Sequence, residues 1–402
     1  MLNIPDFISK HITKRQASMF APDIENNRPE LYRLVEGKKV LVIGGAGTIG
    51  ASYIKAILPF KPAQLTVVDI SENGLTELTR DLRSTYRMFV PDDYKAYPLN
   101  FADPIFAKIF RENHGFDIVA NFSAHKHVRS EKDRWSVQAL LENNVLKARS
   151  LLNLLAETPP EHFFCVSTDK AANPVNIMGA SKRIMEDMIM SYADRFKITT
   201  ARFANVAFSN GSLPAGFIER IMKRQPLSSP NDVKRYFVSP EESGQICMLA
   251  CLLGRRREIF FPKLSEEQMM TFSSIADAFL AELGYEARQC ASEEEARRFA
   301  AEMPRDSGQY PVYYFKSDTT GEKSFEEFYV SGEHTDMDRF VSLGVIDKLV
   351  PRSKNEVDSF LEELKKILSK DETTKETIVK AIKAYLPNFM HEEKGRNLDQ
   401  KM

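Results

Sequence analysis

Four polar residues, Ser167-Thr168-Asp169-Lys170, close an apolar run, Phe164-Cys165-Val166. A carboxyl group beside an amine, where a strand hands over to a loop, can give and take protons at neighbouring atoms of one substrate. A second lysine, Lys182, follows twelve residues later, just inside what reads as a helix. Upstream, Val42-Ile43-Gly44-Gly45-Ala46-Gly47-Thr48-Ile49-Gly50 spaces its glycines between a strand and a helix. Such a turn lets the backbone approach a pyrophosphate, and the helix N-terminus adds N–H groups and a positive dipole. A lone glycine pattern is weak. Here Asp69 ends the next strand, 19 residues past Gly50, where an acidic residue binds the adenosine ribose hydroxyls. A dinucleotide beside an acid–base pair implies redox chemistry coupled to proton transfer. Asp69 would repel a 2′-phosphate, so NAD is expected, and the nearby Arg80 and Arg83 leave NADP open.

The elements that must position these residues alternate. Val40–Ile43, Gln64–Asp69, Ala96–Asn100, Asp117–Phe122, His162–Ser167 and Ile198–Phe203 read as buried strands. Ile49–Leu58, Gly74–Tyr86, Pro104–Asn113, Ser136–Glu157 and a stretch past Lys182 to about Phe196 read as helices. Continuous apolar strands alternating with helices predict an α/β fold: a Rossmann-type, doubly wound parallel sheet covered on both faces. The expected organisation is an N-terminal helical extension (1–37), a Rossmann domain (38–209), a smaller substrate-binding lobe interleaved with the sheet (210–350) and a helical tail (351–402). In the tail Leu361, Leu364, Ile367 and Leu368 recur at helical spacing.

Of 402 residues 43% are hydrophobic, enough for a sizeable core, and the formal net charge is −1. That balance gives no general pull toward nucleic acid or an anionic membrane, so neither is an expected partner. No apolar run approaches the roughly 20 residues that span a bilayer. The start of the chain lacks the basic-then-apolar layout of a signal peptide, so the cytoplasm is the expected location. Cys165, Cys247, Cys251 and Cys290 form no metal-ligand spacing and read as small core residues; no metal is expected.

The segments Gly44–Gly50, Ala124-His125-Lys126-His127-Val128, Val166–Pro174, Arg202–Val206, Lys234–Phe237 and Gly321–Glu327 resemble the extended short-chain dehydrogenases/reductases. The likeness is specifically to the nucleotide-sugar 4,6-dehydratases of the polysaccharide-biosynthesis (CapD-like) family, and it covers roughly residues 36–350. The resemblance implies that bound NAD oxidises the sugar C4 hydroxyl, Lys170 removes the C5 proton, Asp169 protonates the departing C6 hydroxyl, and the hydride returns to C6. The expected product is a 4-keto-6-deoxy sugar. Lys182 would bond the nicotinamide ribose. The residue four before it, usually a tyrosine serving as base at the C4 hydroxyl, is Met178. A thioether cannot carry that proton, although some family members also have methionine there, and Thr168 is the candidate contact to the C4 hydroxyl.

The same resemblance implies cofactor contacts at Gly44, Gly47, Thr48, Ile49, Gly50, Asp69, Ser71, Asn100, Phe101, Ser123, Lys126, Lys182 and Val206. It implies substrate contacts at Lys126, Thr168, Asp169, Asn205 and Arg235, the last two at the diphosphate, where a guanidinium fork suits phosphate oxygens. Asn100 stands where relatives usually place an aspartate, and Asn144 reads as a structural bridge. The leading expectation is dehydration of a UDP-N-acetylglucosamine-type substrate by a homo-oligomer. The alternatives are a nucleotide-sugar 4-epimerase or C4 oxidoreductase, and a non-catalytic nucleotide-sugar or NAD-binding protein. GDP- and CDP-linked sugars stay open, because the base pocket lies in the more divergent lobe.

Overall fold

The computed structural model describes residues 2–127, 131–317, 323 and 325–391. Val128, Gly321, Glu322 and Ser324, which belong to two of the matched segments, lie outside the described residues. Six strands carry the frame: β1 (Lys39–Ile43), β2 (Gln64–Asp69), β3 (Asp93–Pro98), β4 (Ile118–Asn121), β5 (His162–Val166) and β6 (Ile198–Ala201). They lie in the order β3-β2-β1-β4-β5-β6, every neighbouring pair parallel. The strand order reverses at β1, between β2 and β4, which opens a crevice at the carboxyl ends of β1 and β4. Every residue of β4, β5 and β6 is buried, because helices cover both faces.

Glu258–Pro262 extends this sheet parallel to β6; Leu343–Asp347 and then His334–Asp336 add antiparallel strands. Leu227–Pro230, Gln309–Phe315 and Glu286–Gln289 form a separate three-stranded sheet. With the helices Leu213–Met222 and Phe272–Glu282 it makes a second core around Phe217, Phe279 and Tyr310.

Three elements differ most from the sequence expectation; in addition β6 stops two residues short of Phe203 and the helix expected over Gly74–Tyr86 runs Glu72–Ser84. β3 begins at Asp93 and ends at Pro98 rather than running Ala96–Asn100. It is the sheet's edge, and its outward Asp93 and Lys95 pair with each other at 2.8 Å, so its first half carries no apolar signature. The expected Ser136–Glu157 helix runs as Arg134–Leu141, a π-turn over Glu142–Lys147, and Ala148–Leu155. The apolar face continues through the wider turn, which is why periodicity does not reveal it. The helix bearing Lys182 spans Ile177–Ser191, starting earlier than expected because Asn176 caps it: its Oδ1 accepts Gly179 N–H at 2.7 Å.

The N-terminal segment clamps both cores. Phe7, Ile8 and Ile12 enter the second core, while Phe20, Leu31 and Val35 enter the first. Arg15 binds both oxygens of Glu242 at 2.8 and 2.7 Å. The tail helices Lys354–Leu368 and Lys375–Tyr385 pack on each other, the first of them also against Ile177–Ser191, where Arg352 reaches Asp187 at 3.1 Å. All four cysteines are buried. Among the described residues no helix is long and apolar enough to cross a membrane.

Candidate active site

The glycine turn shows which of its positions tolerate no side chain. Gly44 has φ +75°, and a Cβ there would lie 2.6 Å from the Ser123 nitrogen. A Cβ on Gly50 would lie 2.3 Å from the Gly44 carbonyl oxygen. These two glycines let β1, the following helix and the end of β4 pack together. Gly47 differs: it precedes the helix Thr48–Ile57, no side chain caps that helix, and the nearest atom to its missing Cβ is 3.5 Å away. A clear face over uncapped helix N–H groups fits a pyrophosphate.

Asp69 is fixed against this turn, its two oxygens accepting Ala46 N–H at 3.0 Å and Ser71 N–H at 2.9 Å. A carboxylate has lone pairs beyond these two, so ribose hydroxyls still fit. Ser71 caps the helix Glu72–Ser84 by accepting Gly74 N–H at 3.1 Å. Asn100 Oδ1 accepts Ala102 N–H at 2.9 Å, and Phe101 is buried in the main core. Ile49 packs against that core. Ser123 donates its N–H to Asn121 Oδ1 at 3.0 Å. The Asn210 backbone ties two further candidates together, donating to Thr48 Oγ1 at 3.0 Å and accepting from Lys126 Nζ at 2.8 Å. Lys126 is exposed as a residue, yet desolvation around its amine lowers its pKa. Val206 is buried in the short strand Asn205–Val206, which pairs parallel with Phe237–Val238.

The acid–base pair sits on a 3₁₀ turn, Asp169–Ala171, directly after β5. Asp169 is only 2% exposed, so this is no solvated surface ion pair. Its Oδ1 accepts from Thr168 Oγ1 at 2.8 Å and from Lys170 Nζ at 3.0 Å. Lys170 Nζ also reaches Asn205 Oδ1 at 3.5 Å. Arg235 is buried; its Nη1 donates to the carbonyls of Lys234 and Lys323 at 2.8 and 3.0 Å.

Lys182 is buried one segment away. Its Nζ donates to the Val166 carbonyl at 2.9 Å and lies 3.9 Å from Met185 Sδ. Burial lowers its pKa, against the pull of Cys165 and Glu186. Met178, one helical turn earlier, is also buried. Asn144, on the π-turn, bonds the His125 backbone at both N–H and carbonyl (2.8 and 2.9 Å) and donates to Ser181 Oγ at 3.1 Å. The bridge expected of it is present.

Four acidic residues were not singled out from the sequence. Glu131 accepts Met178 N–H at 2.9 Å. Glu186 accepts from Ser167 Oγ at 2.6 Å and grips the fully buried Arg202 at 2.9 and 2.7 Å, with Glu333 on the guanidinium's other side. Burial works against the Arg202 charge, but Glu186 and Glu333 more than offset it and its pKa ends above the ordinary value. Glu326 lies 3.8 Å from Lys170 Nζ. Its place in the Gly321–Glu327 segment was the only signal for it.

The sheet order, the glycine turn at the reversal of β1 and the dyad after β5 define a Rossmann-type α/β protein. Residues 40–343 match the model of the polysaccharide biosynthesis protein family, well over half of the chain. The chain belongs to that family, as an extended short-chain dehydrogenase/reductase of the CapD-like type. It is 31% identical over 242 residues to the uncharacterized membrane protein MJ1061 of Methanocaldococcus jannaschii, covering 58% of this chain and 69% of the relative. To the probable polysaccharide biosynthesis protein EpsC of Bacillus subtilis it is 28% identical, covering 59% of this chain but only 40% of EpsC. A UDP-N-acetylglucosamine 4,6-dehydratase (inverting) of Campylobacter jejuni is 25% identical, over 63% of this chain and 74% of its own. The X-ray structure of Pen from Bacillus thuringiensis shares the fold at TM-score 0.63 and 19% identity, covering 79% of this chain and 90% of that one.

Proposed function

We propose that this protein is an NAD-dependent nucleotide-sugar 4,6-dehydratase. Its substrate on this reading is a nucleotide-linked N-acetylhexosamine, UDP-N-acetylglucosamine first among them, converted to a 4-keto-6-deoxy sugar for surface polysaccharide. The observation that carries the reading is the dyad of a buried acid and a half-buried amine: Lys170 Nζ 3.0 Å from Asp169 Oδ1, with Thr168 on the same oxygen. An epimerase or simple C4 oxidoreductase has no use for an acid and a base paired at this strand end. The similarity to the Campylobacter jejuni dehydratase supports the same choice.

Gly44, Gly47, Gly50, Asp69 and Lys182 would hold the dinucleotide, which when bound supplies the acceptor for the C4 hydride and its return to C6. The chain's own residues handle the protons. Lys170, as the free amine, takes the proton from C5, and the C–H electron pair becomes the C5–C6 double bond. The C6–O bond breaks as Asp169, in its acid form, protonates the leaving oxygen, so one water departs. When C6 has been reduced, Lys170 would give its proton back to C5, and the proton released from the C4 hydroxyl would restore the Asp169 acid, so every group ends as it began. Thr168 contacts the C4 hydroxyl, since Met178 has no group to carry its proton. Asn205 and Arg235 hold the diphosphate, and Lys126 reaches both cofactor and sugar.

The test is incubation with several nucleotide-acetylhexosamines followed by mass spectrometry. Loss of one water from UDP-N-acetylglucosamine is the expected result. A C4 epimer of unchanged mass, or no product with any sugar while nucleotide still binds, would overturn the reading. Within it, a Thr168→Val variant that keeps full turnover removes the role given to Thr168.

A further inference from the structure

Glu326 is 4% exposed, and charged groups surround it. Its Oε1 lies 3.8 Å from Lys170 Nζ and 4.0 Å from Arg235 Nη2; its Oε2 lies 3.9 Å from Lys323 Nζ. All three separations exceed a direct hydrogen bond, and Oε2 is a buried oxygen with no hydrogen-bond partner among the described residues. A carboxylate left in this state is costly unless neighbouring charge compensates it. Its position is fixed from several sides. Asn173 Nδ2 donates to Glu327 at 2.9 Å, Arg235 holds the Lys323 carbonyl at 3.0 Å, and Arg202 holds Glu333 and the Phe328 carbonyl. These contacts bring Glu326 to the dyad.

We propose that Glu326 is the third member of the acid–base cluster, a positioning residue that sets the charge state of Lys170 and stabilises its ammonium as the C5 proton is taken. Its catalytic meaning rests on the dehydratase reading; its electrostatic coupling to Lys170 does not. The groups facing Glu326 are Asp169, Lys170, Arg235 and Lys323. Burial raises its pKa, Lys170 opposes that rise, Asp169 adds to it, Arg235 and Lys323 oppose it, and the net direction is upward. A carboxylate near the amine is weighted toward the state in which Lys170 carries the proton, the state reached when the C5–H bond breaks.

The experiment reads Lys170 directly. Full-length wild type, Glu326→Gln and Glu326→Asp are pulsed with isotope-labelled formaldehyde and cyanoborohydride across a pH series, and methylation of Lys170 is followed by peptide mass spectrometry. Removing a carboxylate from this distance should move the pH midpoint of Lys170 labelling downward, so that labelling at a fixed pH below the midpoint rises about tenfold in Glu326→Gln. Glu326→Asp, keeping the charge but drawing it back, should give a smaller rise, and carries the comparison alone if the glutamine variant does not fold. An unchanged pH midpoint overturns the proposal, even if labelling grows equally at every pH, because that pattern reports exposure and not charge. The product assay with the same preparations separates the two ideas. A wild type that dehydrates nothing removes the reading of the reaction, while the labelling midpoint still decides the role of Glu326.

Discussion

Lys182→Met should make the protein more stable while it removes the amine proposed to contact the dinucleotide. Lys182 is 4% exposed, and the structure gives its ammonium one carbonyl at 2.9 Å and a thioether at 3.9 Å. Burial outweighs the favourable charge of its neighbours, so its folded pKa is lower than that of a solvated lysine. A group shifted in this direction binds fewer protons folded than unfolded at pH values between its two pKa values. Its penalty is thus fully present below the folded pKa and fades as pH rises toward the unfolded value of about 10.4. Methionine keeps an unbranched stem of similar length and needs no charge solvation. The expected gain is about 1–3 kcal/mol at pH 7, shrinking toward zero near pH ~10.5. Urea unfolding of nucleotide-stripped wild type and variant at pH 7, 8.5 and 10 measures it. A variant less stable than wild type at pH 7, or a difference that does not change with pH, would refute the reasoning; the Val166 carbonyl bond would then outweigh desolvation.

Three further outcomes follow from other contacts. Gly50→Ala places a Cβ 2.3 Å from the Gly44 carbonyl oxygen, a backbone atom that cannot yield without opening the turn; dinucleotide binding by calorimetry should fall at least tenfold, and wild-type affinity would contradict the packing argument. Glu186→Gln leaves the buried Arg202 with one anionic partner instead of two and should cost about 3–5 kcal/mol in chemical denaturation; a loss under about 1 kcal/mol would show the network to be slack. His162 is buried, and its pKa is lowered from 6.5 to about 4 mainly by that burial, with Lys197 adding to it. The unfolded chain gains this proton first as pH falls, so stability drops between pH 6.5 and about 4, by roughly 3 kcal/mol in all. His162→Phe should flatten that part of the stability curve, and an unchanged acid slope would assign it elsewhere.

Much of the fold could be read from local pattern. β2 falls where its apolar run predicts, Gln64–Asp69, and β1, β4 and β5 agree within a residue at either end. These strands are buried on both faces, and burial writes itself into consecutive residues. β3 was misplaced because an edge strand is not buried in that way, and the π-turn escaped because it preserves the apolar face on either side. In the candidate site, Asp169, Lys170 and Asn205 were legible and do meet. Ser71 and Phe101 have duties the sequence did not disclose, a helix cap and a place in the core. Arg235 turned out to be buried beside Glu326.

The amino-acid order alone determined where the central strands β1, β2, β4 and β5 lie and where the glycines fall, and therefore that a carboxyl and an amine stand side by side after β5. Those features are local: a missing Cβ or an apolar run acts on its own neighbourhood whatever lies far along the chain. Only the tertiary structure decided the environment of that pair. Glu326 lies 156 residues beyond Lys170, and Glu131 and Glu186 reach Met178, Ser167 and Arg202 across separate elements. Charge coupling depends on distance through space and on how much water is excluded. Neither quantity exists until segments remote in the chain have been folded against one another.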